Sequence, residues 1–393
     1  AEILTGCTGF RNGVLGMGGE KMNPKLTLWP AAMAVGGYSV WYSGKWMNDG
    51  KPITRGYHET RALFTGGGGT WKRGKVVRGR KGRAITGYRN WTFKNAEGQS
   101  ELNKGTGLTP LTDKYIADGA LEFLQRKNDK PFFLHVNFTG PHDPLVYPPN
   151  YKKKYTAAKM KLPKNFLPRH SFDHGNFEGR DERLLPWPRA KADVLDELAV
   201  YYAIIDNIDK QVGRMLDQLR ADGRLKNTYV IFTSDHGLAI GSHGLMGKQN
   251  MYDHTIRVPF LIAGPGLAKR RRVSAFGYLR DMYPTVCELA GITIPETVEA
   301  KSLNPVLRDQ NKIVHKAAYG YFRDVQRMVQ IEQWKLVFYP KINRYQLFGL
   351  KADPHELNDL IEVKSHQARV VLMRQSLTKW FYDQEDAVIR SLE

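Results

Sequence analysis

Short apolar runs alternate with segments of helical periodicity through the first three quarters of the chain. Four runs, each bounded by glycine, proline or polar residues, indicate β-strands; they lie at 38–42, 131–138, 229–232 and 259–262. Between them, apolar residues recur at spacings of three and four from Ile116 to Leu124 and from Tyr201 to Leu219, which predicts two amphipathic helices. Strands that alternate with helices in this way predict an α/β fold.

The last quarter of the chain has a different pattern. Three short alternating segments near 317–322, 327–332 and 334–339 indicate strands, and helical periodicity follows at about 364–383. Strands grouped together and then followed by a helix are typical of a small α+β unit. We therefore expect a larger domain over 1–310 and an α+β subdomain over 311–393.

Three of the predicted strands end in residues that can carry chemistry. These residues are Lys45 after 38–42, His142 after 131–138, and Asp235, His236 and Lys248 after 229–232. Open α/β sheets bind their ligands at the carboxyl ends of the strands. A carboxylate, imidazoles and lysines at that edge predict a site for a metal ion and an anion. A simple turn, in which Asp235 bonds its own backbone, is the alternative.

The charge balance narrows the class of partner. The chain has 59 Lys and Arg against 39 Asp and Glu, a formal net charge of +20, which favours sulfated or phosphorylated polymers, nucleic acid or anionic membrane surfaces. One segment, 66–89, opens with four glycines and has eight cations without an acidic residue. We expect a long, mobile, basic loop there, which either binds a polyanion or is only solvated surface.

Composition disfavours a membrane-spanning protein and a protein built around several disulfides or a cysteine-bound metal. No apolar run approaches the length that spans a bilayer, so a membrane span is not expected. The two cysteines, Cys7 and Cys287, allow at most one disulfide and form no metal-ligand spacing.

Short motifs along the chain occur in a fixed order. They are Ala1-Glu2-Ile3-Leu4-Thr5-Gly6, Gly44-Lys45-Trp46, Pro141-His142-Asp143-Pro144, Ser234-Asp235-His236-Gly237, Gly241-Ser242-His243-Gly244, Gly247-Lys248, Arg257-Val258-Pro259, and Asp353-Pro354-His355-Glu356 after the apolar 347–350. In this order they resemble the formylglycine-dependent sulfatases. The resemblance implies the alkaline phosphatase-like fold: a mixed, mostly parallel sheet between helices, with a small antiparallel sheet at the C-terminus.

The resemblance also implies roles for the residues at the strand ends. Asp235 and His236 correspond to ligands of a calcium ion. Lys45 and Lys248 correspond to lysines that hold the sulfate oxygens as point charges. His142 corresponds to a residue that binds the sulfate or protonates the leaving oxygen. In the family the nucleophile is a hydrated formylglycine made from the cysteine of a C-x-P-S-R motif.

The chain departs from the family pattern at two places. The family has C-x-P-S-R and a pair of metal-binding aspartates before a segment like 1–6, so we expect both upstream of Ala1. On that expectation the chain alone is inactive and binds calcium poorly. Cys7 has the Cys-to-Arg spacing of the motif, but Gly9 replaces its proline, and we expect a small buried residue there. Met47 stands where the family usually has histidine, and a thioether cannot transfer a proton.

Three functions remain open at this stage. The first is hydrolysis of sulfate esters on a sulfated carbohydrate, with a periplasmic or secreted location implied by the resemblance. The second is hydrolysis of phosphate or phosphonate esters within the same superfamily. The third is non-catalytic polyanion binding, as in a pseudo-sulfatase. RNA binding by the basic loop 66–89 is a fourth interpretation, but a single loop of this kind is weak evidence for it, and we expect no nucleic-acid partner. His243 either shapes the site or only turns the chain.

Overall fold

The computed structural model describes residues 1–16, 19–66, 78–83, 85 and 87–391. Its helices are α1 (Glu2–Thr5), α2 (Gly9–Asn12), α3 (Trp29–Val35), α4 (Thr112–Leu124), α5 (Lys191–Ala221), α6 (Asp253–Ile256), α7 (Met282–Leu289), α8 (Asn304–Arg308), α9 (Gln367–Asp383) and α10 (Ala387–Arg390). Its strands are β1 (Ser39–Lys45), β2 (Glu59–Thr65), β3 (Thr92–Lys94), β4 (Phe132–Asn137), β5 (Val230–Thr233), β6 (Phe260–Ala263), β7 (Ala317–Phe322), β8 (Gln326–Ile331), β9 (Trp334–Tyr339) and β10 (Arg344–Gly349).

The main sheet has the strand order β3-β2-β1-β4. β1 runs parallel to both β2 and β4, and β3 adds to the outer edge of β2 in the antiparallel direction. β5 and β6 form a separate antiparallel pair. This arrangement confirms the predicted α/β fold with a mixed, mostly parallel sheet. Within the described residues, β4 pairs only with β1 and β5 pairs only with β6.

The two faces of β1 pack against different helices, because successive side chains of a strand point to opposite faces. On one face, Trp41 stacks on Phe123 of α4 with ring centroids 5.0 Å apart. On the other face, Val40 and Tyr42 join a core cluster that also contains Trp29 of α3 and Tyr283 of α7. The sheet is therefore buried between helices, and its carboxyl edge is held rigidly.

The C-terminal part contains the expected antiparallel sheet. Its strand order is β10-β9-β8-β7, and all neighbours are antiparallel. Three of these strands match the predicted segments to within a residue, and α9 covers the sheet through Val370, Met373 and Leu377. The resemblance implies an apolar strand at 347–350, and β10 ends within that segment, whereas nothing in the sequence pattern indicated α10.

A buried charge cluster joins this sheet to the larger part of the chain. Lys335 of β9 is fully buried, and its ammonium group donates to Asp253 of α6 and, at 2.7 Å, to Glu356. Glu356, from the Asp353-Pro354-His355-Glu356 motif, also accepts from the backbone N–H of Asp253 at 2.8 Å. The motif therefore fixes α6 to the C-terminal sheet.

Candidate active site

Lys45 is the last residue of β1, and the glycine before it allows the neighbouring strand to approach. Gly44 has φ +109°, and a Cβ at this position would lie 2.1 Å from the carbonyl oxygen of Asn137 at the end of β4. Asn137 Nδ2 donates to the carbonyl oxygen of Lys45 at 3.0 Å. Lys45 is thereby held beside the loop that follows β4, as the sequence predicts.

His142 lies in that loop between an acidic residue and a lysine. Its Nδ1 is 2.7 Å from the carbonyl oxygen of Asp143 and 2.9 Å from the carboxylate, so Nδ1 donates on that side. On the other side, Lys248 Nζ donates to His142 Nε2 at 2.9 Å. This arrangement assigns a neutral ring with its proton on Nδ1. Burial lowers the pKa of His142 against the opposing charge of Asp143.

Lys248 is positioned by residues of 150–190, a segment whose richness in lysine, arginine and proline predicts irregular surface. Glu182 accepts from the N–H groups of Met246 and Gly247 at 3.0 and 2.9 Å, and it pairs with the buried Arg189 at 2.7 Å. Asp181 lies 3.6 Å from Lys248 Nζ. The expectation for 150–190 was wrong here, because these charged residues are buried and hold the Lys248 loop in place.

Asp235 and His236 follow β5 in a tight loop that is fixed to α6. Ser234 Oγ donates to the carbonyl oxygen of His236 at 2.8 Å. The backbone N–H of Gly237 donates to the carbonyl oxygen of Thr255 in α6 at 2.8 Å. No side chain fits at Gly237, because a Cβ there would lie 2.0 Å from a second carbonyl oxygen of α6. α6 therefore sets the position of the loop.

The Asp235 carboxylate lies among cations and is open to solvent on one side, with 60% of its side chain exposed. Loss of hydration opposes ionisation, but the charges of His236, Lys45 and Lys248 together lower the pKa of Asp235. His236 Nε2 is 3.4 Å from the Asp235 carboxylate, and desolvation lowers the pKa of His236 to about 4. The structure thus brings all five predicted site residues into one electrostatically linked group.

Two further residues belong to this group and were missed by sequence reasoning. Arg180 pairs with Asp181 at 2.5 Å and with Asp143 at 3.5 Å. Tyr88 packs edge-on against His142 with ring centroids 4.6 Å apart, and Lys45 Nζ lies 5.4 Å from the Tyr88 ring centre. The buried hydroxyl of Tyr88 has no hydrogen-bond partner among the described residues. Both residues sit in segments of basic, irregular composition, so no periodic signal distinguished them.

Other candidate residues occupy different surroundings. His243 is 6% exposed and stacks on Tyr252 with ring centroids 3.9 Å apart, which is a packing arrangement. Met47 is 52% exposed. Cys7 is fully buried, its thiol donates to the carbonyl oxygen of Thr297 at 3.1 Å, and burial raises its pKa. A buried neutral thiol is a poor nucleophile, so Cys7 fits the small buried residue that the sequence favoured.

The described residues do not fit a calcium ion by themselves. Calcium takes six to eight oxygen ligands, whereas Asp235 supplies one carboxylate and His236 an imidazole. Over the described ranges there is no group of three or more His, Cys, Asp or Glu side chains that could hold a metal ion.

The basic segment 66–89 is only partly described, because 67–77, 84 and 86 lie outside the described residues. The part that is described departs from the expected mobile loop. Its cations Arg80, Lys81 and Arg83 form ion pairs with the α5 carboxylates Asp193, Asp196 and Glu197. These three cations are therefore neutralised by the protein itself.

In the part of the chain that the structure describes, no helix combines the length and the apolar composition needed to cross a bilayer.

The fold has clear structural relatives. A protein solved in complex with its substrate D-glucosamine-2-N,6-O-disulfate aligns with a TM-score of 0.78 at 22% identity, over 98% of this chain and 88% of that one. The phosphonate monoester hydrolase from Silicibacter pomeroyi aligns with a TM-score of 0.77 at 18% identity, over 99% and 86%.

Sequence comparison identifies the family. An arylsulfatase from Clostridium perfringens is 31% identical over 280 residues, which is 69% of this chain and 58% of that protein. The chain thus spans little more than half the length of this curated relative. The model of the N-sulphoglucosamine sulphohydrolase C-terminal region matches residues 241–383, and the sulfatase family model matches residues 1–292. The chain belongs to the sulfatase family.

Proposed function

We propose that this protein hydrolyses sulfate esters of a sulfated carbohydrate. The observation that carries the proposal is the contact between Lys248 Nζ and His142 Nε2, 2.9 Å long, within a group that also includes Lys45 and Asp235. Sulfate is a compact anion, and transfer of its sulfuryl group needs fixed cations around the oxygens. The relative solved with a disulfated glucosamine supports a sulfated sugar as the substrate class.

The proposed roles follow from these positions. Lys45 and Lys248 hold the sulfate oxygens as point charges, and their backbones are held by the bond from Asn137 to the Lys45 carbonyl oxygen and by the bond from the Gly247 N–H to Glu182. His142 binds the sulfate or protonates the leaving oxygen. For the second role its Nε2 must gain a proton, and the adjacent Asp143 carboxylate stabilises the resulting imidazolium.

We propose a formylglycine nucleophile joined to the chain through residues that precede Ala1. The Ala1 nitrogen lies 3.1 Å from Oδ1 of Asn48, three residues after Lys45, and it experiences the charge of Asp235. A residue attached to this nitrogen would lie beside the candidate site. Calcium is proposed as the metal, with Asp235 and His236 as two of its ligands, and the chain 1–393 alone should bind it weakly.

A phosphonate or phosphate ester hydrolase is the second candidate, because a phosphonate monoester hydrolase shares the fold. Polyanion binding without catalysis is the third, and Met47 at the position where the family usually has histidine favours it. For the proposed hydrolase we infer a periplasmic or secreted location and no nucleic-acid partner.

The test is an assay of the product of the complete reading frame, coexpressed with a formylglycine-generating enzyme. The substrates are sulfated oligosaccharides, an aryl sulfate, and phosphate and phosphonate esters. We expect turnover of sulfate esters, a loss of about 10²–10³-fold in Lys248→Met, and no loss in Lys364→Met, which removes an exposed lysine of the C-terminal part of the chain. Turnover of phosphonate esters alone would reject the sulfatase assignment, and absence of any turnover would favour the non-catalytic binder.

A further inference from the structure

One strongly basic stretch of the described chain consists of residues other than those of the candidate site. We name residues 151–164 the basic ribbon. It contains six lysines, and the sequence has no acidic residue from 144 to 172. All six lysines are exposed; they are Lys152, Lys153, Lys154, Lys159, Lys161 and Lys164.

Tyr155 and Lys154 fix the ribbon to Asp206 of α5. Tyr151 and Tyr155 stack with ring centroids 6.3 Å apart. Tyr155 OH donates to Asp206 of α5 at 3.0 Å, and Tyr147 OH donates to the carbonyl oxygen of Tyr155 at 3.1 Å. Because the backbone is held in this way, the lysines project from a defined surface, and little backbone ordering entropy is lost when a ligand binds.

The charge of the ribbon is largely uncompensated. Lys154 pairs with Asp206, but the other five lysines form no ion pair with any described residue. Lys159 Nζ instead donates to the carbonyl oxygen of Lys154 at 3.1 Å, so the charge of Lys159 lies beside the backbone of the neighbouring lysines. The ribbon therefore contrasts with Arg80 and Arg83, whose charges α5 neutralises.

The ribbon also connects two loops of the candidate site. It follows the loop that contains His142, and at its far end the backbone N–H of His243 donates to the carbonyl oxygen of Asn165 at 2.7 Å. His243 belongs to the glycine-rich turn that precedes Lys248. One end of the ribbon thus adjoins the loop of His142, and the other end adjoins the turn before Lys248. A long anionic chain bound along the ribbon would therefore run between these two loops of the candidate site.

We propose that the basic ribbon is an accessory binding surface for a sulfated polysaccharide. It holds the polymer by charge while one sulfate ester enters the site of Lys45, His142 and Lys248. The choice of a glycan over other polyanions rests on the proposed sulfatase function. Binding at the ribbon itself is a separate property that needs no catalysis.

The test measures binding of fluorescent dextran sulfate by anisotropy across a series of salt concentrations. The variant is Lys152→Gln, Lys153→Gln and Lys159→Gln combined. A matched control removes the same charge from the exposed, unpaired Lys312, Lys351 and Lys364. We expect the ribbon variant to lose about 10- to 100-fold in affinity at low salt. The slope of log affinity against log salt should fall by about two to three. The control should stay close to the wild type, and uncharged dextran should not bind.

Three results would overturn the proposal: equal affinities of the ribbon variant and the wild type, an equal loss in the control variant, or tighter binding of double-stranded DNA than of dextran sulfate at matched charge. Failure of the proposed function is read separately, on an aryl sulfate, which carries a single sulfate group and no polymer for the ribbon to bind. A protein that binds dextran sulfate through the ribbon but cleaves no sulfate ester would refute the hydrolase and leave the binding surface standing.

Discussion

Replacing Lys335 with methionine should destabilise the protein strongly. The side chain is 0% exposed, and its ammonium group is the shared cationic partner of Asp253 and Glu356. Methionine fills a similar volume but carries no charge, so two carboxylates would face each other in a buried cluster. Burial raises the pKa of Glu356 and the charge of Lys335 lowers it, so loss of Lys335 favours protonation of this carboxylate, which relieves part of the repulsion but leaves a buried group without its partner.

The magnitude follows from the burial of the cluster. Removing one partner of a buried ion pair costs about 3–5 kcal/mol, because the remaining charge is neither hydrated nor compensated. We expect a loss in that range for Lys335→Met, measured as the free energy of unfolding in urea. The exposed Lys364→Met should change stability by less than about 0.5 kcal/mol.

A second substitution separates the charge effect from a packing effect. In Lys335→Met combined with Glu356→Gln, one of the two stranded carboxylates is gone, so the double variant should cost less than the sum of the single variants. A loss below about 1 kcal/mol in Lys335→Met, or strict additivity in the double variant, would refute the reasoning.

Three further outcomes follow from the structure. Gly237→Ala should lower the free energy of unfolding by about 2 kcal/mol or more, since its Cβ would lie 2.0 Å from a carbonyl oxygen. Gly213→Ala in α5 has open space around its Cβ and should raise the free energy of unfolding by up to about 1 kcal/mol. Equal melting temperatures of the two variants would contradict this. Burial lowers the pKa of His170 and of His174 from 6.5 to about 4. Their contribution to stability is therefore present above pH 6.5 and should be lost towards pH 4, at about 1.4 kcal/mol per pH unit for each histidine. A urea midpoint that does not change over this pH range would contradict the prediction. Cys7 should react with iodoacetamide only after unfolding, and rapid labelling of the native protein would show that its thiol is accessible.

The sequence predicted the parts of the molecule whose pattern repeats. The strand before Lys45, the strand before His142 and the alternating C-terminal segments all have local periodicity that follows from burial on one face or both. Lys45 and His142 could be placed together because β1 and β4 are parallel neighbours whose carboxyl ends share one edge. Asp235, His236 and Lys248 follow β5, which lies in a separate pair with β6, and they join the group through contacts such as that of Lys248 with His142.

The residues that support the site had no such signal. Glu182 and Arg189 are buried ion-pair partners in a segment without regular structure, and their charges made it look like exposed surface. Tyr88 lies within a stretch rich in arginine and glycine, so its contact with His142 depends on tertiary packing alone. Polar residues in irregular segments have no periodicity from which burial can be inferred.

The open edges of β4 and β5 bear on how the chain behaves in solution. Within the described residues, each strand pairs along one edge only, and all six residues of β4 are half-buried. An edge strand with unpaired backbone groups and apolar side chains such as Phe133 and Leu134 is a template for another extended segment. When the chain 1–393 is purified alone, these edges should therefore drive concentration-dependent self-association by strand addition. An added peptide of alternating apolar residues should compete with it.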